Sequence, residues 1–209
     1  MLRTIPDLLI TDPVHPEGDF KRIASDLMNR FILLSGDKRF RITEIEFYYF
    51  NERTHPDPFV HKHRLQLETG RWYFHASGLD LTFGDGKNFG GILLRAVCGL
   101  KNEKAGNKRE EYFYGPLNVV TELFGQFGKA SHHAIHFGLM EAQNKEVTKE
   151  EPLAATRIGL AALEGQDYHA SLYRFFIMPR MRHDGKEAIR KHMIEEGRSM
   201  DQIRELFGW

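Results

Sequence analysis

Residues 41–49 read Arg-Ile-Thr-Glu-Ile-Glu-Phe-Tyr-Tyr, a strand pattern in which two carboxylates stand among β-branched and aromatic residues. Side chains two apart on a strand share a face. Thr43, Ile45 and Phe47 are therefore expected on one side, and Glu44, Glu46 and Tyr48 on the other. Burying two carboxylates and a phenol without compensation is costly. The segment is thus either the half-solvated edge of a sheet or the wall of an active site.

The flanking sequence supplies the rest of a sheet. Residues 19–29 carry apolar side chains at Phe20, Ile23, Ala24 and Leu27, a helical spacing. Residues 31–34 and 40–50 predict two strands joined by the turn at 35–38, with further strands at 71–76, 79–83 and 92–97. The glycine-rich run 84–91 reads as a hairpin turn, because neither a helix nor a Gly-Lys-Ser pattern follows it. Residues 101–111 form a charged connection, 116–124 a helix opened by Pro116, and 128–150 an irregular stretch. Strands at 155–160 and 173–178 precede two short helices, 186–196 and 200–207, the second with a Ser199/Gln202 capping box. The order predicts an α+β fold, a single domain whose curved, mostly antiparallel sheet is flanked by helices. The division is a domain over residues 1–183 and a C-terminal helical extension over 184–209.

Composition narrows the function classes. The chain has 29 basic and 29 acidic residues, so no global field draws it to nucleic acid. One cysteine, Cys98, excludes an internal disulfide framework and suits a cytoplasmic protein. No stretch has transmembrane length and no secretory leader is expected at the start. Histidine, at 11 residues, is in surplus. His55, Asp57, His61 and His63 share one polar loop, but their spacing fits no standard zinc signature. Arg180, Arg182 and Lys186 open the best local basic patch, a candidate grip on phosphates, with Glu187, Glu195 and Glu196 offsetting it. His132, His133 and His136 read as surface residues.

In order along the chain, residues 41–48 (Arg-Ile-Thr-Glu-Ile-Glu-Phe-Tyr), 91–96 (Gly-Ile-Leu-Leu-Arg-Ala), Gly115-Pro116 with the helix after it, 154–159 (Ala-Ala-Thr-Arg-Ile-Gly) and 173–177 (Tyr-Arg-Phe-Phe-Ile) resemble the motifs of the alkyladenine (3-methyladenine) DNA glycosylase family. With the entry helix and strand, the resemblance spans residues 24–178. It implies a DNA N-glycosylase that flips a damaged purine out of the duplex and hydrolyses its glycosidic bond without metal or cofactor. By motif position Glu46 would activate water and Arg95 would hold the water or the carboxylate. Tyr48 and Phe74 would stack on the base and His55 would contact it, with Arg157 in the substrate site. Glu44 would be structural, paired with an arginine.

The sequence departs from that pattern in four places. Ser77 precedes Gly78, where the family inserts a bulky aromatic into the duplex. The chain is neutral where family members are basic. The loop at 51–63 is shorter and richer in histidine, and Asp80 interrupts an apolar strand. The expected partner is therefore damaged DNA or another nucleobase-containing ligand. A nucleoside- or nucleic-acid-binding module without turnover is the rival reading, and a metal-dependent hydrolase built on the histidine loop is a third.

Overall fold

A computed structural model describes residues 6–100, 111–129, 131, 134–143 and 146–208. The charged connection at 101–110 and the pair His132-His133 lie outside them. Helix α1 (Glu17–Asn29) leads into β1 (Phe31–Ser35) and the long strand β2 (Lys38–Asn51). Next come β3 (His55–Pro56), β4 (Thr69–His75), β5 (Gly78–Phe83), β6 (Phe89–Gly99), β7 (Glu111–Tyr114) and α2 (Pro116–Gly125). The chain closes with β8 (Phe137–Glu141), β9 (Leu153–Ala155), β10 (Arg174–Phe176), α3 (Lys186–Glu195) and α4 (Met200–Phe207).

Among the described residues all ten strands belong to one curved antiparallel sheet, a single-domain α+β fold with a half-barrel sheet and four α-helices. Strand β2 is its spine. One edge of β2 pairs along its length with β6. The other edge is shared in turn by β1, β10 and β3. β2 is therefore interior, and the half-solvated-edge reading of residues 41–49 is overturned. Glu44 and Glu46 are both fully buried.

One face of β2 carries Ile42, Ile45, Phe47 and Tyr49 into the main core, where α1 lays down Phe20, Ile23, Ala24 and Leu27. The rings of Phe20 and Phe47 stack at 4.5 Å. A smaller core unites Ala155 and Phe176 with Ile189, Met193, Ile203 and Phe207 of the last two helices. The C-terminal helices thus pack on the sheet's β9–β10 end, and the Ser199/Gln202 capping box opens α4 as expected.

Three strands escape the sequence reading, the shortest being β3 in the segment read as a polar loop. β8 lies in the stretch read as irregular, and β7 follows directly on the charged run. Neither β7 nor β8 carries enough alternation to declare itself, with Gly138 second in β8 and only four residues in β7. Each forms because an open strand edge awaits it, β1 for β8 and the end of β6 for β7. The strand expected at 155–160 is observed earlier, as Leu153–Ala155, and residues 157–160 leave the sheet. In the glycine run, Gly90 and Gly91 belong to β6 itself; a Cβ at Gly90 would meet the Phe83 ring at 2.7 Å.

Candidate active site

The pairing of β2 with β6 is irregular at one place. Ile42 faces Val97, Glu44 faces Ala96 and Ile45 faces Leu94, so Thr43 and Arg95 are each left over. These bulges break the simple alternation expected for residues 43–47. Ile42 and Ile45, three residues apart, both reach the main core. A bulge re-aims side chains. Here Glu44 and Arg95 meet, with Arg95 Nε 3.0 Å from Glu44 Oε1.

Glu44 is the anchor of the buried charge. Its Oε1 also accepts from Arg174 Nη1 at 3.1 Å, and Oε2 lies 2.6 Å from His183 Nδ1. The other ring nitrogen of His183 lies 3.1 Å from the Met178 carbonyl. Burial disfavours ionisation of Glu44, but His183, Arg174 and Arg95 outweigh it and hold the carboxyl below its ordinary range.

Glu46 lies one step along the same face, and its balance is the opposite. It accepts from the Tyr48 hydroxyl at 2.9 Å and from the Ile158 N–H at 2.7 Å. Arg95 Nη1 stands 3.4 Å from its Oε1. Burial dominates these contacts and raises the Glu46 carboxyl above its ordinary value. Burial and the nearby Glu46 charge also push the Tyr48 hydroxyl upward, which keeps it a proton donor.

Glu46, Tyr48 and Arg95 line an open cavity of about 330 Å³ with Phe59, Leu93 and Leu160. Its volume falls among small-molecule sites, ~300–1,000 Å³. Under Tyr48 lies Arg157, its guanidinium 4.7 Å from the ring centroid. Arg157 is itself held by Asp57 at 2.7 Å and by the carbonyls of Phe47 and Tyr168. Arg157 therefore supports the cavity wall without being part of its lining.

The remaining sequence candidates lie elsewhere. His55 is buried between the Tyr49 carbonyl, 3.0 Å from Nδ1, and the Tyr173 hydroxyl, 2.9 Å from Nε2. Phe74 does not line the cavity: it is 42% exposed and packs against Phe124 and Phe137 on the other face of β4. Arg180 donates to the Glu205 carbonyl at 3.1 Å, Arg182 lies over the Tyr114 ring, and Lys186 begins α3. None of these three lines the cavity. The four residues of the histidine loop disperse as well. His55 is internal, Asp57 binds Arg157, His63 caps a short 3-10 helix and stacks on Tyr73, and His61 reaches the cavity rim. Among the described residues no group of three or more histidine, cysteine or acidic side chains is placed to hold a metal ion.

Sequence reasoning did not assemble the cavity's other wall, although it singled out His61, Asp80 and Ser77. That wall is made by His61, His75, Gln66 and Asp80, with Ser77 at its margin. Asp80 accepts from His75 Nε2 at 3.0 Å and from Gln66 Nε2 at 3.2 Å. The Ser77 N–H donates to His75 Nδ1, which fixes the imidazole with its proton toward Asp80. A Cβ on Gly91 would stand 2.5 Å from Asp80 Oδ2 and 2.7 Å from Gln66 Nε2, so that glycine makes room for the pair. The available signal was Asp80 itself, a charge in an apolar strand. What it lacked was a location, which only sheet register provides: Asp80 pairs with Leu93, and Leu93 with Glu46.

No protein-family description matches the chain. An uncharacterized protein of Acanthamoeba polyphaga mimivirus is 32% identical over 135 residues, 53% of this chain and 59% of the relative. The chain thus spans a little over half the length of that relative, whose name assigns no activity. No helix among the described residues is long and apolar enough to cross a membrane.

Proposed function

We propose that the chain is an N-glycosylase of the alkyladenine type, hydrolysing the bond between a damaged purine and its sugar in DNA. The observation that carries this reading is the state of Glu46. It is a fully buried carboxylate on the wall of an open cavity, raised above its ordinary pKa and bracketed by Arg95 and the Tyr48 hydroxyl. A general base works best when its pKa approaches the operating pH, and burial moves Glu46 in that direction.

In the proposed reaction Glu46 takes a proton from water as the water oxygen bonds to the anomeric carbon. The carbon–nitrogen bond breaks and its electron pair stays on the base, so an alkylated, cationic purine departs neutral. Arg95 orients the carboxylate, and its positive charge is maintained by burial-opposing contacts with Glu46 and Glu44. Tyr48 and Phe59 offer aromatic faces to the base. The test is release of free base from a panel of alkylated, deaminated and oxidised DNA. Turnover is expected, with loss in a folded Glu46→Gln variant, and an active Glu46→Gln enzyme would sink the assignment.

A second reading draws on Ser77 and the charge. Ser77, at the cavity's margin, offers no wedge to hold a duplex open, and the net charge is zero. This favours a module that binds a nucleoside or a single strand. Tight binding of a nucleoside with no base released from any substrate would favour it over the glycosylase.

A further inference from the structure

Glu46, Leu93 and Asp80 are register partners on three neighbouring strands, so their side chains share one face of the sheet. Strands lie about 4.8 Å apart, which puts roughly 10 Å between the backbones of the two acidic residues. The cavity floor therefore presents a carboxylate at each end with an apolar residue between them. Glu46 is engaged by Arg95, Tyr48 and the Ile158 N–H. Among the described residues Asp80 faces no arginine or lysine within ion-pair distance; its Oδ1 lies 3.0 Å from His75 Nε2.

Asp80 is 2% exposed and yet lines the cavity. Oδ1 accepts one hydrogen bond, from His75, and Oδ2 accepts one, from Gln66. An ionised carboxylate offers about four acceptor sites, so each oxygen keeps one. Both supporting donors are themselves held. The Ser77 N–H fixes His75, and the His63 N–H donates to Gln66 Oε1, which turns the Gln66 amide nitrogen toward Asp80. The chain thus spends a glycine, a histidine and a glutamine on holding one buried carboxylate in a single orientation. A carboxylate so held is complementary to two adjacent N–H donors in one plane.

We infer that Asp80 is the specificity-determining residue of the cavity, accepting in bidentate fashion from a purine edge with adjacent ring N–H and exocyclic amino donors, as in guanine-type bases. The inference rests on the N-glycosylase reading for its ligand and adds the base class. His75 and Gln66 are positioning residues that act through Asp80.

The test uses two free bases that differ only in the 2-amino group, 7-methylguanine and 7-methylhypoxanthine, titrated calorimetrically into the whole chain and into its Asp80→Asn variant. The wild-type chain is expected to bind the amino-bearing base more tightly by roughly ten- to a hundredfold, the worth of one hydrogen bond to a charged acceptor. Asp80→Asn should erase that preference, while Asp80→Glu keeps its sign. A wild-type chain that binds neither base, or binds both equally, overturns the inference whether or not the variants fold. So does a preference that survives in folded Asp80→Asn. The same proteins are then assayed on DNA containing each base. A binding preference without base release removes the glycosylase reading and leaves Asp80's role standing. Release of both bases with no preference does the reverse.

Discussion

Tyr48→Phe isolates the electrostatics of Glu46. The Tyr48 hydroxyl donates to Glu46 Oε2 at 2.9 Å and stabilises the ionised carboxylate. Its loss leaves Glu46 in the same buried setting, with Arg95 and the Ile158 N–H still in place. The ring still covers Arg157, so the wall is kept. A hydrogen bond to a charged group is worth about 1.5–3 kcal/mol, and one pKa unit is about 1.4 kcal/mol. The Glu46 pKa, already raised by burial, should therefore climb further. Two measurements read it: the acid limb of kcat/KM for base release, and direct titration of the side-chain carboxyl by carbon-13 NMR in glutamate-labelled protein. Both midpoints should move to higher pH together. A midpoint that stays put or falls would refute the argument that this hydroxyl supports the charged form. An NMR midpoint that rises while the rate profile stays fixed would show that Glu46 is not the group the reaction titrates.

Two further outcomes are expected. Gly91→Ala forces a methyl group onto Asp80 Oδ2 and Gln66 Nε2, so it should cost about 1–3 kcal/mol in urea unfolding and weaken 7-methylguanine binding; unchanged stability and affinity would show the pair has room to spare. Glu44→Gln should cost about 3–5 kcal/mol near neutrality, because Arg174 and His183 then lose their acidic partner and Arg95 keeps only Glu46 and Asp184. The Glu44 pKa lies below its ordinary 4.5, so this stabilisation is complete above that pH and is lost as pH falls through the folded value. The gap to wild type should narrow on acidification, and a gap that persists in acid would contradict the linkage.

The motif of alternating carboxylates and apolar residues on β2 was visible in the sequence because alternation is local: each side chain's face follows from its neighbours one and two residues away. So were the helix that packs on β2, from its spacing of Phe20, Ile23, Ala24 and Leu27, and the capping box that starts α4. Local rules could also mark Asp80 as misplaced in an apolar strand. They could not say what it faces. Which strand neighbours which depends on pairings between distant segments, and the paired bulges at Thr43 and Arg95 reset the faces that alternation assigns. β7 and β8 are strands only because open edges of β6 and β1 receive them. The same long-range register sends Phe74 to the far face and brings Phe59 into the cavity lining. It also places Asp80 in line with Leu93 and Glu46. The sequence by itself determined the locally patterned elements and marked Glu46 as a carboxylate on a core-like strand; tertiary structure decided the environment of Glu46, since its burial and its contacts come from distant residues such as Ile158, 112 positions away.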